Sequence, residues 1–165
     1  MNLTKLFDMQ KVLRDRIDYY EPDRFNKLVL ALLVELGECA NEWRGFKFWS
    51  KRQKPYSQQK LLEEYVDGLH FILDLGLENG FESEDFPYLH EHNFDLYTVS
   101  NANDQFIQIY LAVTTFECEE TLESYEEMFL YFIGLGKHLG FTWEQIEQAY
   151  IEKNEINHQR QDNGY

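Results

Sequence analysis

Apolar residues recur along this chain at helical spacing, and nowhere do they alternate convincingly as a strand would. Leu3, Leu6, Phe7, Gln10, Leu13 and Ile17 line one face of a first amphipathic helix over residues 3–19, closed by Glu21-Pro22-Asp23. From Leu28 to Val34 every residue is apolar. That run is too long for a typical strand and contains no Pro, so a helix from about Phe25 to Arg44 is expected, stopped by Gly45. A helix apolar all round is expected to be buried on nearly all sides. A third helix opens after Ser57 and runs to about Glu78, with Asn79-Gly80 as its stop.

Residues 81–102 are the least regular stretch, acidic and aromatic, with Pro87, His90 and His92. They read as a cover or a lid, and the pattern favours a cover. Further helices are expected over Asn103–Phe116 and Thr121–Leu139, the latter with Leu122, Tyr125, Phe129, Phe132 and Ile133 as core positions. Thr142-Trp-Glu-Gln145 is a capping box that opens the last helix. The fold class is all-α: a helical bundle with a buried central helix pair, forming a single domain over 1–165.

Composition narrows the function classes. Hydrophobic content of 44% with 16% aromatic residues describes a folded globule. A net charge of −15 speaks against general nucleic-acid binding and against an anionic membrane surface. No apolar run reaches the length of a membrane span, no cationic leader opens the chain, and a cytoplasmic location is the default expectation. Cys39 and Cys118 suggest no disulfide framework and read as small core residues.

The candidate chemistry sits on the two most apolar helices. Glu35 and Glu38 follow the apolar run three residues apart, so they share a helix face. Glu64 and Asp67 repeat the spacing on the next helix. In hairpin order the two pairs can face each other across a cleft, and hard oxygen sites of this kind suit Mg²⁺ or Mn²⁺. The spacing alone is weak, because 30 acidic residues repeat it at Glu117/Glu120, Glu144/Glu147 and elsewhere. What distinguishes these four acids is their apolar setting, and a metal site and plain surface acids both remain open at this point. Positive charge comes from Arg44, Lys47, Lys51, Arg52 and Lys54 in a basic, aromatic loop, and from the polar C-terminal stretch carrying Lys153, Asn154, Asn157 and Arg160. Either can hold phosphates or be a solvated surface.

These segments resemble the dimeric, all-α dUTPases of the all-α nucleoside triphosphate pyrophosphohydrolase superfamily, most closely the branch of Gram-positive bacteria and their phages. The resemblance rests on Met9-Gln-Lys-Val-Leu13, Glu35-Leu-Gly-Glu38, Phe46-Lys-Phe-Trp-Ser-Lys51, Glu64-Tyr-Val-Asp67-Gly-Leu-His70-Phe71 and the ending from Tyr150 to Tyr165. It implies Mg²⁺-dependent hydrolysis of dUTP, and often dUDP, at the α-phosphorus to give dUMP. Glu35, Glu38, Glu64 and Asp67 would be the metal ligands, with Glu35 also orienting or deprotonating the attacking water. Gln10 and Trp49 would line the deoxyuridine pocket, and Lys47 and Lys51 would hold phosphates. Lys153, Asn154, Asn157, Arg160 and Tyr165 would close over sugar and phosphates.

The family is homodimeric with the site near the partner, and its phage members make a regulatory protein partner conceivable by analogy. One position departs from the family: Arg14, followed by Asp15, stands where Asn or Asp is usual. That keeps open a second reading, a house-cleaning pyrophosphatase for another or modified nucleotide. His70 reads as a core or supporting histidine, and Asp74 as a partner on the helix face.

Overall fold

The computed structural model describes residues 3–82, 86 and 97–164. Six helices account for it, with no strand among the described residues: α1 Leu3–Ile17, α2 Arg24–Trp43, α3 Gln58–Glu78, α4 Ala102–Glu119, α5 Leu122–Leu139 and α6 Trp143–Asp162. The all-α expectation holds. Pro87, His90 and His92, and with them the choice between cover and lid, lie outside the described residues, as does Tyr165.

Local chemistry sets the helix ends. Ser57, Asn101, Thr121 and Thr142 each accept a backbone N–H of the first turn through the side chain, and Thr142 and Gln145 complete a reciprocal capping box. Gly140 closes α5 in the left-handed conformation at φ 84°. The stop of α2 differs from expectation: the left-handed residue is Arg44, at φ 67°, and not Gly45. The reason for a glycine at 45 is space, because a Cβ there would lie 2.2 Å from the Trp43 ring. The first helix ends at Ile17, which is 42% exposed and not part of the apolar face, because Asp18 turns the chain at φ 54°.

The buried centre is α3. Twelve of its residues are buried, and it packs on α1, α2, α5 and α6. Gly68 lets the Phe132 ring of α5 approach to 3.2 Å of where a Cβ would be, and Tyr125 reaches past Gly76 to donate to the Ile72 carbonyl at 2.9 Å. The helix expected to be central, α2, is buried on one side only. Leu28, Leu32 and Leu36 face the core, while Leu30 and Val34 are 63% and 49% exposed. Its apolar-all-round composition therefore serves two surfaces, one inside this chain and one facing outward. Cys39 is a core residue as expected, but Cys118 is exposed near the end of α4.

The polar C-terminal helix α6 is a built element despite its weak apolar stripe. Ile146, Ala149 and Tyr150 bury its first half. Charge pairs to α1 hold it at both ends: Lys5 with Glu147 at 3.3 Å, and Arg16 with Asp162. No helix is long and apolar enough to cross a membrane among the described residues.

Candidate active site

Helices α2 and α3 pack as an antiparallel hairpin, which brings their acidic turns together. One carboxylate oxygen from each of Glu35, Glu64 and Asp67 lies within 4.8 Å of the others. All three are half-buried. Glu38 is exposed and stands outside this triad, yet its charge still reaches Glu35. Burial, with the negative charges of Asp67, Glu38 and Glu64, pushes the Glu35 carboxyl up to about 7, while Lys153 pulls the other way. Burial also raises the Asp67 pKa, against a hydrogen bond from Lys153.

Two lysines answer the triad. Lys153 of α6 donates to Asp67 Oδ2 at 2.6 Å, with both side chains less than one-fifth exposed. Lys60 pairs with Glu64 at 3.2 Å from the solvent side. Three clustered carboxylates against two lysines, with Glu38 adding its charge, leave a net negative, all-oxygen site. That donor set fits a hard divalent cation.

The remaining candidates fall into three groups. Lys47, Trp49 and Lys51 sit in the connector between α2 and α3, and no contact joins them to the triad among the described residues. Trp49 is 66% exposed and meets Phe46 and Phe48 edge-on at 5.8 and 5.0 Å. Lys47 donates to the Asn41 carbonyl at 3.2 Å. The loop holds its own shape: Arg44 and Arg52 lie over the Tyr56 ring, and the Glu42 carboxylate accepts the Tyr56 N–H at 3.1 Å. Arg44 and Arg52, counted in the sequence as phosphate candidates, are thus committed to loop structure, and Glu42 is an organiser that spacing did not single out.

Lys153, Asn154, Asn157 and Arg160 follow one another along α6. Asn154 is buried and its Nδ2 finds no hydrogen-bond partner, whereas Asn157 accepts from Arg160 at 3.4 Å. A groove of about 240 Å³ runs past Lys153, Ile156 and Arg160 against Gln59 and Glu63 of α3.

Gln10 occupies a third place. It is buried, accepts from the Tyr150 hydroxyl at 2.8 Å and donates to Asp74 at 3.4 Å. Tyr150 stacks on His70 at 4.1 Å. His70 Nδ1 meets the Val66 carbonyl at 2.8 Å, so Nδ1 carries the proton and Nε2 is left a buried acceptor without a partner. Burial takes the His70 pKa down to about 4, so the ring is neutral. Trp143 Nε1 is likewise buried without a partner, and Asn154 lies close enough to the Tyr150 hydroxyl to lower its pKa against the effect of burial.

Behind Gln10 lies an ion cluster whose full extent spacing could not reveal. Arg24 Nη2 bonds both oxygens of Asp74, at 3.0 and 3.2 Å. Arg14 Nη1 donates to Asp74 Oδ1 at 3.0 Å, and its other nitrogen pairs with Glu78. The departure at Arg14 thus has a structural account: the side chain turns to the end of α3. Arg24 gave no signal in the sequence, since an arginine after Pro-Asp at a helix start reads as surface charge.

A family model described as dUTPase matches residues 2–165. No curated protein matches the chain.

Proposed function

The chain belongs to the all-α dUTPase family and is a dUTP diphosphatase, and on that premise we propose that it cleaves dUTP between the α- and β-phosphates with Mg²⁺ at the acidic triad. The observation that carries the site is the meeting of Glu35, Glu64 and Asp67 within 4.8 Å, on two helices whose sequence would otherwise bury apolar residues there. These three, with Glu38 beside them, would hold Mg²⁺ or Mn²⁺. When bound, such an ion neutralises phosphate charge and acidifies a coordinated water.

The chain's own residues supply the rest. Glu35 is the group we assign to take a proton from the attacking water: it is half-buried in the triad, and the raised pKa it has without metal would fall when a cation joins it, leaving a carboxylate able to accept. The water oxygen bonds to the α-phosphorus, the bond to the bridging oxygen breaks, pyrophosphate leaves, and the water proton passes to the Glu35 carboxylate. Phosphoryl chemistry of this kind needs alignment and charge compensation more than a covalent nucleophile. Lys153 and Arg160 line the groove beside the triad and would meet phosphate oxygens, with Lys47 and Lys51 approaching from the loop. Gln10 would read the base, Trp49 would cover it, and Asn154, Asn157 and Tyr165 would close the nucleoside side.

The chain would work as a homodimer. Leu30 and Val34 of α2, with Ile107 and Leu111 of α4, are each 49% or more exposed. The two helices meet where Tyr110 donates to the Leu33 carbonyl at 3.1 Å, so both carry exposed apolar residues on either side of one helix pair. A second copy of the same surface would cover them.

The test is pyrophosphate release from dUTP, dTTP, dCTP and UTP, with Mg²⁺ and then with EDTA. Release from dUTP alone, lost in EDTA, is the expected result. Release that persists in EDTA would remove the metal from the reading. Hydrolysis of dUDP to dUMP and phosphate is the companion measurement. Arg14, the position that raised the house-cleaning alternative, pairs with Asp74 and Glu78, and the same nucleotide panel decides between the two readings.

A further inference from the structure

We propose that Asp74, gripped by Arg14 and Arg24, is a positioning residue that locks the Gln10 carboxamide in the sense that pairs with uracil and not with cytosine. This rests on the reading that Gln10 faces the base.

An amide side chain presents a donor and an acceptor side by side. Uracil offers N3–H beside a carbonyl, so it pairs with an amide whose oxygen meets N3–H and whose NH₂ meets that carbonyl. Cytosine offers a bare N3 beside an NH₂, which is the same edge with donor and acceptor exchanged. Rotating the amide by half a turn converts one complement into the other. A glutamine alone therefore cannot separate the two bases, and something must hold its sense.

Two contacts touch the Gln10 amide. The Tyr150 hydroxyl lies 2.8 Å from Oε1, but it is ambivalent. The Leu6 carbonyl at 3.4 Å could take its proton instead, and the phenol oxygen could then accept from a rotated Gln10. Asp74 is not ambivalent. Both of its oxygens receive guanidinium N–H bonds, at 3.0 to 3.2 Å, which hold it as an anion that only accepts. A rotated amide would set its oxygen against that carboxylate. The 3.4 Å contact from Gln10 Nε2 to Asp74 Oδ2 thus sets the sense, and one N–H and one lone pair of the amide stay unused for a base. Arg14 and Arg24 act one step further back, by keeping the acceptor charged and still.

The test measures kcat/KM for dUTP and dCTP in Asp74→Asn, whose amide can donate to a rotated Gln10. Asp74→Asn leaves an uncompensated arginine, so the charge-balanced double variant R14Q/D74N is measured beside it, with Q10A as the reference. The expected result is a dUTP/dCTP preference reduced about tenfold or more in whichever Asp74 variant folds, through a gain on dCTP as well as a loss on dUTP. A merely structural role would lower both substrates together. An unchanged preference in the Asp74 variants with a collapsed one in Q10A would overturn the lock and leave the base reading standing. An unchanged preference in Q10A would remove the base reading, and the lock with it. If neither Asp74 variant folds, Asp74 is a stability residue and the lock is rejected.

Discussion

Asp67 and Asp74 stand two turns apart on α3, and their surroundings are opposite. Asp74 sits among two arginines and Glu78, with charges that cancel and contacts of 3.0 Å from Asp74 to each arginine. Asp67 sits among Glu35 and Glu64, with lysines at the edge. One helix thus carries a closed electrostatic account and an open one. Burial raises the pKa of both aspartates; at Asp74 the guanidiniums of Arg24 and Arg14 oppose it from two helices, and at Asp67 Lys153 and Arg160 oppose it from α6 alone. A fold tolerates a compensated buried cluster because it joins helices, here α1 and α2 to α3. It tolerates an uncompensated one when a ligand completes it.

Removing one acid from each cluster should break this contrast most sharply. Glu35→Gln is expected to lower kcat by about 10²–10⁴-fold, read as pyrophosphate release, with no loss of thermal stability in EDTA at pH 8. Relief of repulsion among the remaining acids should even raise the Tm. Asp74→Ala should do the reverse to the fold. Two arginines are left to share Glu78 alone, and urea unfolding should show a loss of about 3–5 kcal/mol.

The next effect is the sign of the pH dependence. The Glu35 pKa is higher in the fold than its ordinary value of 4.5, so the protonated form is the one the fold favours. Its stabilising contribution is complete below about 4.5 and is lost as pH rises through about 7. In EDTA the Tm should therefore fall across that window, more in wild type than in E35Q. Mg²⁺ should reverse the trend, by about 2.7 kcal/mol at a hundredfold excess over its Kd. A Tm indifferent to Mg²⁺ at pH 8 would leave the open cluster without its ligand.

A smaller effect is expected at the lysine joining α6 to the triad. Lys153→Met leaves Asp67 without its 2.6 Å partner, and should cost about 1–3 kcal/mol in EDTA. Mg²⁺ should recover part of that loss, since a cation can take the place of the lysine at Asp67. The smallest effect on chain stability concerns the exposed apolar residues of α2 and α4. Leu30→Glu adds a charge to a residue already 63% exposed, so the fold should be little changed while sedimentation shifts from dimer to monomer.

The sequence by itself determined the elements and the location of the acids. Periodicity, Ser57, Thr142 and the glycine stops bounded the helices to within a few residues, because capping and amphipathicity are local. The pairing of Glu35 with Glu64 and Asp67 was legible for the same reason, since two acidic turns on consecutive apolar helices have few other places to go. Tertiary structure decided which partners each charge obtained. It left Glu38 outside the triad, set Lys153 on Asp67, and turned Arg14 and Arg24 onto Asp74 from two other helices. It also left Leu30 and Val34 facing outward, and made α3 rather than α2 the buried centre. These outcomes depend on the rotation of one helix against another. A rotation of a few tens of degrees changes every cross-helix contact and leaves the sequence pattern of each helix untouched.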